Sequence, residues 1–183
     1  MKFIFFYILV AIGFSTSVFA QSNSEIENRI NIIRQVYQKI NEDVKNDVFL
    51  IDKIAINSEK KPEFPAVGVY DKMIAAYYTL GTEENPYQKV FRRVSILHHY
   101  SAYSSSTEYI FDENSELVFI FHTNGEGKPY RFYFGEKLNT EKIIRLIIDK
   151  ISKDNPVLDT ETSQLLKGLI EEAESIITIL QKL

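Results

Sequence analysis

The stretch LHHYSAYSSS, Leu97 to Ser106, gathers two adjacent histidines and two tyrosines among four serines. Side chains of these types could supply a general base, a metal ligand or a hydroxyl nucleophile. Their spacing opposes most of that chemistry. On a strand from Lys89 to Tyr103, the residues Val90, Arg92, Val94, Ile96, His98, Tyr100 and Ala102 share one face. Arg93, Ser95, Leu97, His99, Ser101 and Tyr103 share the other. Apart from Arg92 the first set has the character of a buried face, and the second of a wet one. His98 and His99 then point to opposite sides and cannot meet at one metal. His98 falls at or near the core and needs a partner such as a tyrosine hydroxyl or a backbone carbonyl, whereas His99 falls at the surface.

The other candidates for chemistry are weaker. A zinc site needs three or four ligands converging at about 2 Å, and His98, His99 and His122 come with no HExxH or paired spacing. No G-x-S-x-G elbow supports a serine nucleophile. DENSE, Asp112 to Glu116, lacks the central glycine and distant glutamate of a calcium loop and suits a hairpin turn. NGEGKP does not precede a helix, which argues against a phosphate cradle. The acid pairs Glu83-Glu84 and Glu171-Glu172 are expected in a turn and on a solvated helix surface. No metal and no cofactor is expected.

What stands above background is tyrosine: Tyr77, Tyr78, Tyr100, Tyr103, Tyr109, Tyr130 and Tyr133. Cross-strand tyrosine pairs stabilise sheets. The same rings also make recognition surfaces, because they join apolar area to a hydroxyl at low entropy cost. On the second reading the binding candidates are His99, Tyr100, Tyr103, Tyr77 and Tyr78.

Composition bounds where such a protein works. Residues 1–20, MKFIFFYILVAIGFSTSVFA, carry one charge, an apolar run from Phe3 to Phe14, a polar Ser-Thr-Ser step and then Val18-Phe19-Ala20. That is the layout of a secretory signal peptide, with cleavage expected after Ala20 and Gln21 as the new N-terminus. An uncleaved membrane anchor is the alternative, weakened by the polar step and the absence of flanking cations. Cleavage removes one lysine and no acid, leaving 20 Lys and Arg against 25 Asp and Glu. With a sequence pI of about 5.5 and no basic stripe interleaved with aromatics, nucleic acid is not an expected partner. No second apolar stretch approaches spanning length, so no membrane association is expected after cleavage. There are no cysteines, which excludes disulfides and a cysteine-based lipid anchor. Residues 21–183 should form a single domain standing on its core alone, in a bacterial periplasm or secreted.

The elements that must position the candidates follow from periodicity. Ser24-Glu25-Ile26-Glu27 is a capping box that predicts a helix start. Ile26, Ile30, Ile33, Tyr37, Ile40 and Val44 then form an apolar stripe. Asp47 to Gly68 is mixed and ends in a proline-rich loop. From Tyr70 to Tyr133 the alternation and turn residues predict about five strands, near 70–80, 88–101, 106–112, 116–123 and 129–135, as an antiparallel meander. Leu117, Phe119 and Phe121 oppose Val118, Ile120 and His122, so the strand over 116–123 is central or covered twice. Periodicity leaves Ile143 to Ile148 open between a short helix and a sixth strand, and the caps Asn139 and Thr140 with Pro156 just past its end favour the helix. Asp159 or Thr160 caps a last helix with Leu166, Leu169, Ala173, Ile176 and Leu180 on one face. The fold class is α+β, with the N-terminal and C-terminal amphipathic helices packed on one face of the sheet.

With the strands in place, AAYYTLG, TEYIFDENSELVFIF and YRFYFGEKL resemble recurring pieces of small uncharacterised secreted bacterial proteins, over roughly Ala75 to Leu138. That resemblance implies a leading helix, a YYFD-x-[NG]-x-L-x-F hairpin and an [RK]-x-Y-F strand. It implies export and carries no catalytic residue. Ser115 stands here where a turn glycine is expected, and NTEKII after Leu138 is a departure.

Catalysis of hydrolysis needs an activated nucleophile or base with an orienting partner, and no motif supplies one. Binding needs only an exposed, rigid, partly apolar surface. The expected function is an exported non-enzymatic binding protein engaging another envelope or secreted protein, as an inhibitor, immunity factor or envelope-complex component. The alternative is a small-ligand binder or hydrolase with a cleft near His99, Tyr100 and Tyr103.

Overall fold

The computed structural model describes residues 4–60, 63–64, 68–135 and 143–183, excepting the side chains of 4–22, 63 and 64. In chain order the elements are α1 (Ile4–Lys45), β1 (Leu50–Ile56), β2 (Glu63–Phe64), β3 (Gly68–Leu80), β4 (Lys89–Tyr100), β5 (Ser104–Phe111), β6 (Leu117–Thr123), β7 (Pro129–Phe134), β8 (Ile143–Ile148), β9 (Ile151–Asp154) and α2 (Thr160–Leu180). The strands form one antiparallel open sheet in the order β1-β3-β4-β5-β6-β7-β8-β9, with β2 on the end of β3.

The five expected strands are β3 to β7, close to their predicted bounds. The sheet is wider than expected, because β1, β8 and β9 extend the meander at both ends. The expected short helix at Ile143 to Ile148 is a strand. Its side chains divide between two apolar layers, with Ile143, Leu146 and Ile148 in one and Ile144 and Ile147 in the other. A strand buried on both sides shows no period of two in its hydrophobicity. The proposed caps Asn139 and Thr140 lie outside the described residues.

The helices cover opposite faces of the sheet, which corrects the expectation of one shared face. On one side Leu166, Leu169, Ala173 and Ile176 of α2 pack against Ile74, Phe91, Tyr109, Ile120 and Phe132. On the other, Ile26, Ile30, Ile33 and Ile40 of α1 pack against Ile110, Phe119 and Tyr133. The physical reason is in β6, whose side chains are apolar in both directions, so each direction must be covered. Asp159 is the α2 N-cap and accepts a hydrogen bond from the Thr162 amide at 2.7 Å. The capping box at Ser24 does not start α1. That helix begins at Ile4 and runs through Ser24, and no helix among the described residues is long and apolar enough to cross a membrane.

Three register shifts, at Tyr77/Tyr78, Ile110/Phe111 and Tyr133/Phe134, reset the alternation along the strands. The first explains the exceptional Arg92. Tyr77 pairs with Arg93 and Tyr78 with Phe91, so Arg92 is the extra residue. Beyond that shift Phe91 turns to the α2 side, where it is buried.

Candidate functional site

The residues of the opening stretch separate across the sheet. His99 Nδ1 lies 3.0 Å from Asp71 Oδ2 on the neighbouring strand, and the Lys60 ammonium is 3.5 Å from Asp71 Oδ1. The hydrogen bond to His99 holds the Asp71 carboxyl below its usual range against the opposing effect of burial. Tyr100 points to the α2 side. Its ring lies 4.6 Å from Tyr103 and 5.2 Å from Tyr70. Tyr103 in turn lies on Gly125, where a Cβ would fall 2.5 Å from a ring carbon. Tyr77 and Tyr78 are at the far end of β3. Tyr77 packs in the α1 layer beneath the Arg93 guanidinium, 5.6 Å away. Tyr78 is buried in the α2 layer, and its hydroxyl donates to Asp52 at 3.1 Å. Of the five binding candidates, only Tyr100 and Tyr103 are brought together.

His98 finds neither a tyrosine hydroxyl nor a carbonyl but a carboxylate. Its Nε2 is 3.3 Å from Glu172 Oε1 on α2. The same carboxylate accepts from Lys72 Nζ at 2.7 Å and from the Tyr109 hydroxyl at 2.9 Å. One strand over, Thr107 Oγ1 and His122 Nδ1 are 2.9 Å apart. Burial opposes the Glu172 charge, but the hydrogen bonds from His98, Lys72 and Tyr109 outweigh it and hold the carboxyl at about 2. Burial pushes the His122 imidazole down and the Tyr109 phenol up. The expectation that Glu171-Glu172 is a solvated pair fails for Glu172. It follows Leu169 by three and precedes Ile176 by four, which sets it on the buried stripe. This spacing could have found the node from sequence.

A histidine paired to a carboxylate is the orienting half of a nucleophile-activating arrangement. Here the hydroxyls of Thr107 and Tyr109 are themselves engaged with His122 and Glu172. The node therefore pins the middle of α2 to β3, β4 and β5. Among the described residues no group of three or more His, Asp or Glu converges to hold a metal ion.

The two largest concavities among the described residues are on the α1 side. Cross-strand register places Tyr77, Arg93, Ile110, Phe119, Tyr133 and Arg145 in one row across the sheet. Contacts of Tyr37 with Phe119, Asn41 with Arg93 and Glu27 with Arg145 show that α1 lies along this row. The next row, Lys53, Ala75, Ser95, Glu108, Phe121 and Arg131, emerges from under the helix. Beyond it Ala55, Met73, Leu97 and Ser106 are in register with no helix above them. Two lobes of about 280 and about 360 Å³ result, both lined by Phe121.

Small side chains deepen the floor at Ala55, Ala75 and Ser95, while Met73, Leu97 and Phe121 make it apolar. Met73 is 51% exposed, an unusual state for a large apolar side chain in the middle of a thirteen-residue strand. Glu108, in the floor, is tied on both oxygens: Arg93 pairs with one, and the Tyr37 hydroxyl donates to the other at 3.2 Å. Sequence reasoning missed this trough. Leu97 among Ser95, His99 and Ser101 on the supposedly wet face was its one visible trace.

Comparison with protein-family models, with curated proteins and with solved structures finds no match for this chain.

Proposed function

We propose that the protein is an exported, non-enzymatic binding protein whose ligand lies in the trough beside α1. The observation that carries this reading is the pairing of Met73 and Leu97, in register on adjacent strands, as an apolar floor that α1 leaves uncovered. Such a floor is a default candidate for a binding site when it is concave, mostly apolar and edged by a few polar groups. The acid–base residues support the same reading from the other side. His98, His122 and Glu172 are engaged within the sheet–α2 layer, and His99 faces away from Tyr100 and Tyr103. Residues 1–20 support export.

A protein partner is the second reading, favoured by the β1 edge. Leu50, Ile51 and Ile56 there are 48%, 43% and 44% exposed, and β1 is the outermost strand of the sheet. A free apolar edge of this kind accepts an added strand.

Native mass spectrometry of the protein purified from its own host tests the proposal. The expected spectrum shows a chain beginning at or near Gln21 with a bound component that Leu97→Asp removes. An intact Met1 in the membrane fraction would contradict export. An identical spectrum for wild type and Leu97→Asp would contradict the trough.

A further inference from the structure

The trough has a charge pattern as well as an apolar floor. Arg34 and Arg131 line the lobe between α1 and β7. The Arg131 guanidinium is held over the Phe121 ring, 4.9 Å from its centroid, at the wall the two lobes share. Arg34 Nη1 donates to Asn31 Oδ1 at 3.4 Å. Neither arginine forms an ion pair with a carboxylate among the described residues, whereas Arg93 and Arg145 do. Lys53 extends the cationic rim at the opposite end of the same cross-sheet row. The acid in the floor, Glu108, is already neutralised by Arg93. A chain with more acids than bases thus presents two arginines without a carboxylate ion pair at one end of an apolar trough and Lys53 at the other.

From this we infer that the trough takes a single-chain amphiphile with an anionic head, of the fatty-acid class. The inference rests on the trough being the binding surface. The head accepts hydrogen bonds from the Arg34 and Arg131 guanidiniums, whose planar fork suits a carboxylate. The tail runs from Phe121 across the sheet over Ala75 to lie between Met73 and Leu97. That path crosses three inter-strand spacings, about 14 Å, which a medium-length alkyl chain covers. The lobes together reach the range of pockets that enclose small ligands, about 300–1,000 Å³. A cationic or zwitterionic head would meet like charge at Arg34 and Arg131. A neutral head would leave both arginines unpaired.

Titration calorimetry of the host-processed protein with octanoate, decanoate and dodecanoate, each below its micelle concentration, tests the assignment. Dodecyl maltoside and dodecyltrimethylammonium serve as the neutral and cationic arms. Affinity for the alkanoates should rise about twofold to fourfold per added CH₂, the upper value being full burial. Both other heads should bind at least tenfold more weakly than dodecanoate. Arg34→Glu, at an exposed helix position that leaves folding intact, should weaken dodecanoate about tenfold or more and leave dodecyl maltoside unchanged. Arg131→Gln should do the same, with circular dichroism as its check on folding.

Equal affinity for all three heads, abolished by Leu97→Asp, would overturn the anionic assignment while leaving the trough as the binding surface. Binding that Leu97→Asp leaves unchanged would overturn both. Absence of binding by every amphiphile would overturn the ligand class, and the co-purification experiment would then decide the trough separately.

Discussion

Glu172 on α2 and Lys72 on β3 form an ion pair at 2.7 Å between the helix and the sheet, with side chains only 23% and 14% exposed. His98 and Tyr109 complete the ring of partners around the carboxylate. The ordinary carboxyl value is 4.5, and in the folded protein it falls to about 2. A depressed carboxylate stabilises the fold above the unfolded value and loses that contribution as pH falls through the folded one. Stability should therefore drop between about pH 4.5 and pH 2, by about 2 kcal/mol after allowance for solvent screening. His122 adds an earlier step of the same sign. Burial depresses its imidazole, so the unfolded chain binds the extra proton first as pH falls below about 6.5. Glu172→Gln should lower stability at pH 7 by about 2 kcal/mol or more, because Lys72 loses its countercharge. It should also flatten the acid limb of a urea-denaturation series across pH. An unchanged acid limb would show that the carboxylate is not the stabilising group.

The two-faced architecture separates the helices energetically. Phe119, 6% exposed, belongs to the α1 layer, and Phe132, fully buried, to the α2 layer. Phe119→Ala and Phe132→Ala should each cost about 3–5 kcal/mol. Hydrogen exchange should distinguish them, with faster exchange over 26–40 in the first variant and over 166–180 in the second. If both variants loosened the same helix, the opposite-face packing would be wrong. Phe119→Asp buries an unpaired carboxylate and should unfold the domain outright, since the penalty is comparable with a total stability of about 5–15 kcal/mol.

The β5–β6 turn offers a smaller and cleaner test. Asp112 Oδ1 accepts from the amides of Asn114 and Glu116 at 2.9 and 3.0 Å, and Ser115 sits at φ 61. That left-handed conformation explains why a glycine is the expected residue there. Ser115→Gly should leave stability unchanged or raise it by up to about 1 kcal/mol, as the relieved strain offsets the added freedom of the unfolded chain. Ser115→Val, branched at Cβ, should lower it by more than about 1 kcal/mol. Thermal denaturation reads both variants, and equal midpoints for the two would contradict the strain.

The strands β3 to β7 were legible because each alternates over several residues between well-marked turns, as at DENS and NGEGKP. β8 was not, because IIRLII is covered on both sides and Arg145 is its only polar position. The α1 stripe at Ile26, Ile30 and Ile33 announces a covered helix without saying which face of the sheet covers it. The only hint was β6, apolar in both directions. His98 and His99 were correctly separated, since strand geometry alone forces it. Glu172 was misplaced by its neighbour Glu171, an adjacency that looks like a solvated pair although 100° of helical rotation separates the two side chains. The trough left only the trace of Leu97 on a wet face. Met73 looks like a core residue, and the exposure of Met73 and half-burial of Leu97 depend on where α1 stops covering the sheet.

Methyl-resolved NMR of Ala55, Met73, Ala75 and Leu97 during a dodecanoate titration tests the central claim, that the uncovered floor beside α1 is the binding surface. Saturable shifts are expected at Met73, Ala75 and Leu97, and in Arg34→Glu they should need about tenfold or more higher ligand concentration to reach the same size. Shifts confined to the Tyr70, Tyr100 and Tyr103 rings on the opposite face, with Met73 and Leu97 unmoved, would contradict it.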